Sequence, residues 1–504
     1  MSYYEQNIPP TREQRLTIGD SFCGKSEDLL DCARSGCLLQ KNRRFWQTGS
    51  CQMHLSLMMA STVENSVIIM HGPLGCGSTL HNLSPATVKG MNKRGKKGKP
   101  LTWLSTNLQE ADVISGGERK LRETIEYADR TFRPEIIFVV STCTPNIIGD
   151  DVEEVVRQTQ KGVAAHVASI HCPGFKTRVV ATAYDSFYHG LLKHIPFEPD
   201  LSRANVWVKE EPQAELAELE FNYRKGRTVN LFNATSIGPA DEEELVRLLN
   251  ALQLNVQIYT EYSSLEEYRQ MSQAALNISM CNVHDDYLLA YLKEKYGMPY
   301  VIEGMPIGVK ATRKWLLAVA KHFGLEDKAN RIADQEEEKV LKAIQPYLPK
   351  LKGKRVLISG GIVRVGEESR VLKELGLEVI GIRAYHYDNG ADPVYTSIAE
   401  ELPEVPVAVS NQLFELANQV VRYKPDLVIG HNGTQGWLAK LGVPSIQLYD
   451  VDRAFFGYRG LFSLVKRMAF AFENNSFAQR LAQHVELPYK KEWFSKDAFS
   501  YLKD

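Results

Sequence analysis

The chain has 504 residues, with 44% hydrophobic and 24% charged residues and a formal net charge of -1. This length is too great for one hydrophobic core and predicts three domains of ordinary size. The near-zero charge provides no electrostatic attraction for nucleic acid or an anionic membrane, and no apolar run approaches the roughly 18 residues of a membrane span. Because the polar N-terminus lacks the apolar core of a signal peptide, we expect a cytoplasmic protein.

The first segment, residues 1–60, carries four of the eight cysteines. Its weak hydrophobic periodicity predicts an irregular N-terminal arm that wraps a neighbour. In a reducing cytosol, the cysteines of so long a chain favour metal ligation or burial over disulfide formation.

Strands and helices alternate after this arm. Apolar runs of strand length begin at Ser66, Glu135, Val229, Val256, Arg355, Glu378 and Asp426. A helical pattern runs from Asp241 to Leu252 between two of them. This alternation predicts an α/β fold of three doubly wound, Rossmann-like domains with parallel sheets. We place these domains at residues 61–228, 229–352 and 353–504, the last of which carries the C-terminal helices.

Two glycine-rich segments are partial matches to nucleotide-binding loops. The segment Gly90–Pro100 has a lysine, Lys96, at the phosphate-loop spacing, but no Ser or Thr follows it and no strand precedes it. We interpret it as a solvated basic loop. The segment Ser359–Gly366 follows a strand and opens a helix, so it offers N–H groups to an anion, but it lacks the dinucleotide fingerprint. The sequence therefore predicts no nucleotide site on this chain.

Two cysteines follow apolar strands of similar appearance. Cys76 comes shortly after the run that begins at Ser66, and Cys143 comes after the run that begins at Glu135. Ligands of open α/β sheets bind outside the carboxyl ends of strands, where Cys51 is a third candidate. The absence of close CxxC spacing disfavours a zinc ribbon. Three separated thiols suit a large iron–sulfur cluster completed by another chain, although three ordinary buried thiols remain the alternative.

A fourth thiol, Cys281, lies just before a predicted helix that ends at Gly297. Asp285 and Asp286 fall in the first turn, where carboxylates suit the positive end of the helix dipole. A thiol at a helix N-terminus is expected to have a lowered pKa and to bind a metal or act as a nucleophile. The alternative is a thiol that only packs at the start of a helix.

Several further motifs share an order along the chain with these cysteines. They are His71–Gly77, Ser105–Lys120, Ser141–Cys143 with Ile148–Asp151, Cys172–Phe175, Cys281 with its helix, Glu294–Pro299, Ser359–Gly361 and Leu441–Pro444. Taken in order, from about Cys51 to Met468, they resemble the α-type (D-type) subunit of nitrogenase component 1, the molybdenum–iron protein class. The resemblance implies three α/β domains of the nitrogenase component 1 type.

The resemblance also implies cofactors and partners. Cys51, Cys76 and Cys143 match the α-side ligands of a P-cluster, [8Fe–7S] or [4Fe–4S], shared with a β-like (K-type) subunit in an α2β2 heterotetramer. Cys281 matches the thiol that holds one end of the large iron–sulfur active-site cofactor. A homodimeric iron protein reductase is implied as the electron donor, and it carries its own [4Fe–4S] cluster and the ATP.

The sequence departs from true nitrogenases around this cofactor. The position of the heterometal-binding histidine falls on Tyr449, or on Gln447 if the gap is placed differently, and neither is a good substitute for imidazole. The lysine that helps to hold homocitrate has no counterpart, although His431 is a candidate replacement ligand. The glutamine and histidine near the substrate-reducing face are not cleanly matched, so Tyr184 and His189 become the nearest catalytic candidates.

A chain that keeps the thiols and loses these partners is most similar to the nitrogenase-like methylthio-alkane reductases. These are understood to cleave C–S bonds of small thioethers, releasing methanethiol and a hydrocarbon. Three alternatives stay open: a molybdenum-free dinitrogen-reducing α subunit, a cofactor-assembly scaffold, and a structural α/β assembly with ordinary buried thiols.

Overall fold

The structure, a computed structural model, describes residues 3–37, 51–198, 225–430, 435–447 and 450–502. Its strands are β1 (Ile18–Gly19), β2 (Phe22–Lys25), β3 (Ser66–His71), β4 (Thr102–Ser105), β5 (Ile136–Ser141), β6 (His166–His171), β7 (Thr228–Phe232), β8 (Asn255–Tyr259), β9 (Leu276–Ser279), β10 (Tyr300–Ile302), β11 (Arg355–Gly360), β12 (Glu378–Ala384), β13 (Tyr387–Asp388), β14 (Pro406–Val409), β15 (Leu427–Gly430) and β16 (Ser445–Gln447).

The α-helices in the described ranges are Arg12–Arg15, Ser26–Ser35, Gln52–Thr62, Ser84–Lys93, Glu110–Ser115, Glu118–Phe132, Cys143–Ile148, Val152–Thr159, Thr182–His194, Pro239–Ala251, Leu265–Arg269, Asp286–Tyr296, Val309–His322, Glu326–Ile344, Leu348–Leu351, Ile362–Glu374, Asp392–Glu401, Leu413–Tyr423, Gln435–Lys440, Gly457–Glu473, Ser476–His484 and Lys491–Ser495. Short 3₁₀ helices cover Tyr3–Glu5, Leu74–Asn82, Gln160–Gly162, Gly174–Lys176, Asn389–Ala391 and Ser500–Leu502. Among these described segments, no helix is both long and apolar enough to span a membrane.

The first sheet is parallel, with the strand order β4-β3-β5-β6. The interiors of its central strands are apolar, as expected for a parallel sheet whose two faces are covered by helices. The register pairs His71 with Ser141, and Ser141 with His171, at the last residues of three neighbouring strands. The loops that follow these strands therefore leave the sheet at one edge.

The second and third sheets confirm the predicted α/β fold. The second has the order β10-β9-β7-β8 and is parallel throughout. The third has the order β16-β15-β11-β12-β14-β2, in which only β2 runs antiparallel to its neighbour. Cys281 follows β9, and Gln447 is the last residue of β16, so both lie at carboxyl edges of sheets.

The described part of the N-terminal arm, residues 3–37, packs against this chain's own domains. Strand β2 pairs with β14, and β1 pairs with β13. Strands of two to four residues are too short to produce a detectable alternation, which explains why the sequence predicted an irregular arm around a neighbour. Cys32 and Cys37 form a disulfide, which the sequence analysis did not expect.

The basic segment around Lys96 is also packed more tightly than predicted. The ammonium group of Lys96 lies 3.0 Å from a carboxylate oxygen of Glu64, contacts Glu267 and donates a hydrogen bond of 2.7 Å to the Tyr262 carbonyl. The interpretation as a solvated loop is wrong for this lysine, because these partners bury its side chain between the first two sheets' helices and loops.

A fully buried arginine, Arg12, connects the arm to three separate elements, namely the helices Thr182–His194 and Asp286–Tyr296 and the strand β13. Its guanidinium lies 3.2 Å from Asp185, 3.1 Å from Asp286 and 2.9 Å from Asp388. Burial raises the pKa of Asp185 to about 6, against the opposing effect of Arg12 and Arg15. Burial also disfavours the charged form of Asp388, but Arg12 and His386 together outweigh it and hold that pKa below its ordinary value. Buried ion pairs therefore hold the arm in addition to its strand pairing and apolar packing.

We expect Arg12→Ala to destabilise the fold by about 3–5 kcal/mol, because it leaves buried carboxylates without their counter-charge. Arg34→Ala is the matched control, since Arg34 is exposed and lies 3.9 Å from Asp31 in a weak surface pair. Urea unfolding followed by circular dichroism measures both variants. Equal unfolding midpoints for the two would show that the Arg12 ion pairs contribute no net stability.

Candidate functional site

Three cysteines occupy the loops at the carboxyl edge of the first sheet. Cys51 is the N-cap of the helix Gln52–Thr62, Cys76 lies in the 3₁₀ helix after β3, and Cys143 begins the helix after β5. All three thiols are half-buried. The sheet therefore brings together residues that are far apart in sequence.

Gly174 shows how closely two of these thiols approach each other. A Cβ atom placed on Gly174 would lie 3.1 Å from the Cβ of Cys51, 3.6 Å from its sulfur and 3.8 Å from the sulfur of Cys143. A side chain at this position would fill the space between the sulfurs. The sequence analysis gave Gly174 no role, although its place after Pro173 at the end of β6 could have suggested one.

The thiols also influence one another electrostatically. Burial raises the pKa of Cys76, and the neighbouring Cys143 and Cys51 raise it further. Adjacent thiolates repel unless cations neutralise them, and the irons of a cluster supply that charge. No three His, Cys, Asp or Glu side chains of the described residues meet closely enough to hold a single metal ion. A multi-iron cluster does not need that convergence, because its thiolates bind different irons.

Exposed apolar side chains border the three thiols. Leu74, Ile147 and Phe175 have 54%, 71% and 56% of their surfaces exposed, and each lies within four residues of Cys76, Cys143 or Gly174. We call these three residues the apolar rim. Exposed apolar residues beside a candidate cluster site suit contact with a protein partner.

The second site is built around Cys281, which is 2% exposed. Burial raises the pKa of its thiol to about 12, against the opposing effect of the Val283 and His284 backbone N–H groups. The lowered pKa predicted from the helix N-terminus is therefore wrong for the metal-free thiol, because desolvation outweighs the hydrogen bonds from these N–H groups. A metal at this position would bind by displacing the thiol proton.

An aromatic pair lies beside this thiol. The ring of Tyr184 stacks on His284 with centroids 4.4 Å apart, and its hydroxyl contacts the Thr235 hydroxyl. Burial raises the pKa of Tyr184, and among the lesser effects Cys281 raises it further. The structure thus places Tyr184 close enough to Cys281 for the two to interact electrostatically, and its catalytic role stays a prediction. His284 had been given no role, although it lies only three residues after Cys281.

His189 is engaged elsewhere. Its Nδ1 lies 3.0 Å from the Tyr287 hydroxyl and its Nε2 lies 3.0 Å from the Gln6 carbonyl oxygen. Burial lowers its pKa to about 4, so the ring is neutral at neutral pH. Nδ1 thus contacts the helix Asp286–Tyr296, and Nε2 contacts the arm. Because both ring nitrogens have these partners, the geometry disfavours proton delivery from His189 to the Cys281 site.

Of the three candidates for a second protein ligand of the cofactor, the structure describes only Gln447. His431 and Tyr449 lie outside the described residues. Gln447 ends β16, and its carbonyl accepts a hydrogen bond of 3.3 Å from Arg467.

A series of contacts leads from Tyr184 toward the third sheet. Thr235 is followed by Ser236, whose carbonyl accepts a hydrogen bond from Arg364. The Arg364 guanidinium also lies 5.0 Å from the ring centre of Phe456. These contacts bring polar groups of the second and third domains together beside the Cys281 site.

A buried carboxyl, Glu368, lies near two of these arginines. It is 0% exposed, and within the described part of the chain neither carboxyl oxygen has a hydrogen-bond partner. Burial raises its pKa to about 8, although Arg364 and Arg467 act in the opposite direction. Glu368 is therefore mainly protonated at neutral pH.

The sequence matches the family described as nitrogenase component 1 type oxidoreductase over residues 51–473. The chain belongs to this family. Membership implies iron–sulfur clusters, a heterotetramer with a β subunit and an iron protein as partner. The two sets of thiols fit that implication, since one group of three lies at a sheet edge and one buried thiol lies apart.

Relatives with different roles resemble the chain to a similar degree. The nitrogenase molybdenum-iron protein alpha chain of Methanothermobacter marburgensis is 27% identical, covering 83% of this chain and 86% of that protein. The nitrogenase iron-molybdenum cofactor biosynthesis protein NifE of Methanococcus maripaludis is 26% identical, covering 90% and 88%. A solved structure of nitrogenase Cp1 at pH 5 superposes with a TM-score of 0.69 at 20% identity, covering 90% and 94%, and supports the fold.

We expect Gly174→Val to reduce the iron bound at the three thiols, because the added side chain occupies space beside Cys51 and Cys143. Gly162→Val is the control, since a Cβ at Gly162 meets no atom within 4 Å. Iron and acid-labile sulfide are measured on anaerobically purified protein, with circular dichroism to verify folding. Equal iron content in both folded variants would contradict the proposed position of the cluster.

We expect Glu368→Gln to remove a pH dependence of stability. Between the ordinary pKa of glutamate and about 8, folded Glu368 keeps a proton that the unfolded chain releases. Stability therefore falls as pH rises through this window, by up to about 1.4 kcal/mol per pH unit. Glu368→Gln should exceed the wild type in stability near pH 8 and lose this advantage near pH 5, as measured by urea unfolding of metal-free protein. If the stability of Glu368→Gln relative to the wild type varies with pH in the same way as that of the exposed control Glu338→Gln, this expectation is contradicted.

Proposed function

We propose that the chain is the catalytic α-like subunit of a nitrogenase-like reductase. Its proposed reaction is reductive cleavage of the C–S bond in small methylthio-alkanes, giving methanethiol and a hydrocarbon. The observation that carries the proposal is the separation of two thiol sites, one at a half-exposed sheet edge and one buried beside an aromatic pair. This arrangement suits electron entry at the first site and chemistry at the second.

The first site is proposed to bind a P-cluster-like group through Cys51, Cys76 and Cys143. The apolar rim of Leu74, Ile147 and Phe175 supports a shared cluster, because a β-like subunit that supplies the remaining ligands would cover these side chains. The resulting α2β2 complex would receive single electrons from a homodimeric, ATP-dependent iron protein with its own [4Fe–4S] cluster.

The second site is proposed to hold a large iron–sulfur cofactor through Cys281, with Gln447, His431 or Tyr449 as the other protein ligand. The cofactor supplies soft iron that can bind a thioether sulfur and deliver electrons. Cleavage of R–S–CH₃ consumes two electrons and two protons and yields RH and CH₃SH.

The chain's own residues position the substrate and exclude water. Tyr184 and His284 present a stacked aromatic surface beside Cys281, against which alkyl groups can pack. Tyr184 keeps its proton at neutral pH because burial raises its pKa. We therefore propose Tyr184, with His284 beside it, as the groups that orient the substrate and hold a proton there. His189 is retained only as a residue that positions Tyr287.

A cofactor-assembly scaffold is the second candidate. This candidate is retained because the chain is 26% identical in sequence to NifE and 27% identical to a nitrogenase alpha chain. Similarity to the alpha chain likewise supports a third candidate, which is a molybdenum-free subunit that reduces dinitrogen.

One assay separates these functions. The anaerobic complex with its β-like subunit and iron protein is supplied with ATP, dithionite and ethyl methyl sulfide, and methanethiol and ethane are measured by gas chromatography. Stoichiometric release of both supports the proposal. Ammonia from dinitrogen without methanethiol supports a nitrogenase, and transfer of iron to a cofactor-free acceptor without turnover supports a scaffold.

We expect Cys281→Ala and Cys76→Ala to affect different clusters. Cys281→Ala should lose the active-site cofactor iron and all turnover but keep the relay-cluster signal in electron paramagnetic resonance. Cys76→Ala should disrupt the relay cluster instead. The control is Cys172→Ala, because Cys172 is a fully buried thiol that donates a hydrogen bond of 3.0 Å to the Ser56 hydroxyl. Unchanged iron in both test variants would exclude ligation by these thiols.

A further inference from the structure

A cleft of about 640 Å³ opens beside the N-terminal arm. Its lining includes Leu16 from the arm, Asn282 and Asp286 from the segment after β9, Val301 from β10, Ala318 from the helix Val309–His322, and Gly390 from the 3₁₀ helix after β13. The cleft thus lies where the arm meets the second and third domains. Its volume falls within the range of small-molecule sites.

The floor of the cleft lies next to Cys281. Asn282 is the residue after this thiol, and its Nδ2 donates a hydrogen bond of 2.7 Å to the Gly390 carbonyl. A Cβ on Gly390 would lie 3.2 Å from the Cβ of Asn282, so the two segments touch at this point. The Arg12 guanidinium bridges the same two segments, since it donates a hydrogen bond of 3.4 Å to the Asn282 carbonyl and lies 2.9 Å from Asp388. A side-chain hydrogen bond and a buried ion pair therefore join the two segments on the side of the cysteine.

The other surroundings of Cys281 are more tightly closed. Ser279, Val283, Asp285 and Tyr184 are between 0% and 5% exposed. Three residues of the segment after Cys281 are half-buried, namely Asn282, His284 and Asp286, and two of these line the cleft. The cleft therefore reaches the residue that directly follows the buried thiol.

The charges of the cleft are largely neutralised by partners. The Asp286 carboxylate lies 3.1 Å from Arg12 and 2.7 Å from Arg15. Glu303, which also lines the cleft, lies 2.6 Å from Lys314. Lys321 is exposed at the rim and stays hydrated. With apolar walls from Leu16, Val301 and Ala318, the cleft suits a small neutral molecule better than an anion or a cation.

We propose that this cleft is the binding and entry site for the small neutral thioether. The proposal rests on the proposed function for the identity of the ligand class. The Arg12 ion pairs with Asp286 and Asp388 hold the arm, and with it the wall that carries Leu16, against the second and third sheets' segments.

Filling the cleft tests the proposal. Ala318→Val and Ala318→Phe add volume at a half-buried position of the lining, and Ala311→Phe is the matched control on the same helix outside the lining. We expect the KM for ethyl methyl sulfide to rise about tenfold in Ala318→Phe, less in Ala318→Val and not in Ala311→Phe. Iron content should stay unchanged in all three variants of the anaerobic complex.

A second measurement does not depend on turnover. Crystals of the anaerobic complex are soaked with dimethyl selenide, a neutral thioether analogue that anomalous scattering can locate. We expect a selenium peak in the cleft of the wild type and of Ala311→Phe, and none in Ala318→Phe. A selenium peak without methanethiol production would overturn the proposed function and leave the cleft as a binding site. Turnover with an unchanged KM in iron-replete Ala318→Phe, or no selenium in the wild-type cleft, would overturn the cleft proposal. If Ala318→Phe loses its iron, the KM of Ala318→Val decides.

Discussion

The in-register pairing of parallel strands is the constraint on which both thiol sites depend. Parallel strands point the same way, so the loops after them leave the sheet at one edge. His71, Ser141 and His171 end three neighbouring strands in register, and the thiols of Cys76 and Cys143 follow two of these ends. The second sheet uses the same rule to place Cys281 after β9.

Burial divides the chemistry between the two sites. The three thiols at the first edge are half-buried, so a partner subunit can reach a cluster there. Cys281 and Tyr184 are almost fully buried, and burial holds each in its neutral form in the absence of a metal. A water-poor surrounding of this kind lets iron, when bound, supply the dominant local charge.

The arm completes this arrangement through electrostatics rather than apolar packing alone. Arg12 meets carboxylates from three separate elements, and each of these charges would be costly if it were left alone. The same ion pairs neutralise Asp286 at the edge of the cleft beside Cys281. The Arg12 ion pairs thus both stabilise the fold and reduce the net charge at the edge of the proposed ligand site.

The sequence by itself determined the α/β class and the strands from β3 onward that begin near the predicted apolar runs. It also identified the cysteines that are candidate ligands. These features are visible in the sequence because apolar strands and the glycines that follow them are local signals. It could not determine ionisation, since the raised pKa of Cys281 depends on atoms from distant segments that exclude water. It also assigned His189 to catalysis and overlooked Gly174 and His284, because contacts with Gln6, Cys51 and Tyr184 arise only when separate elements pack. Only the tertiary structure decided which side chains share a site, since proximity across a sheet edge is a property of strand register rather than of spacing along the chain.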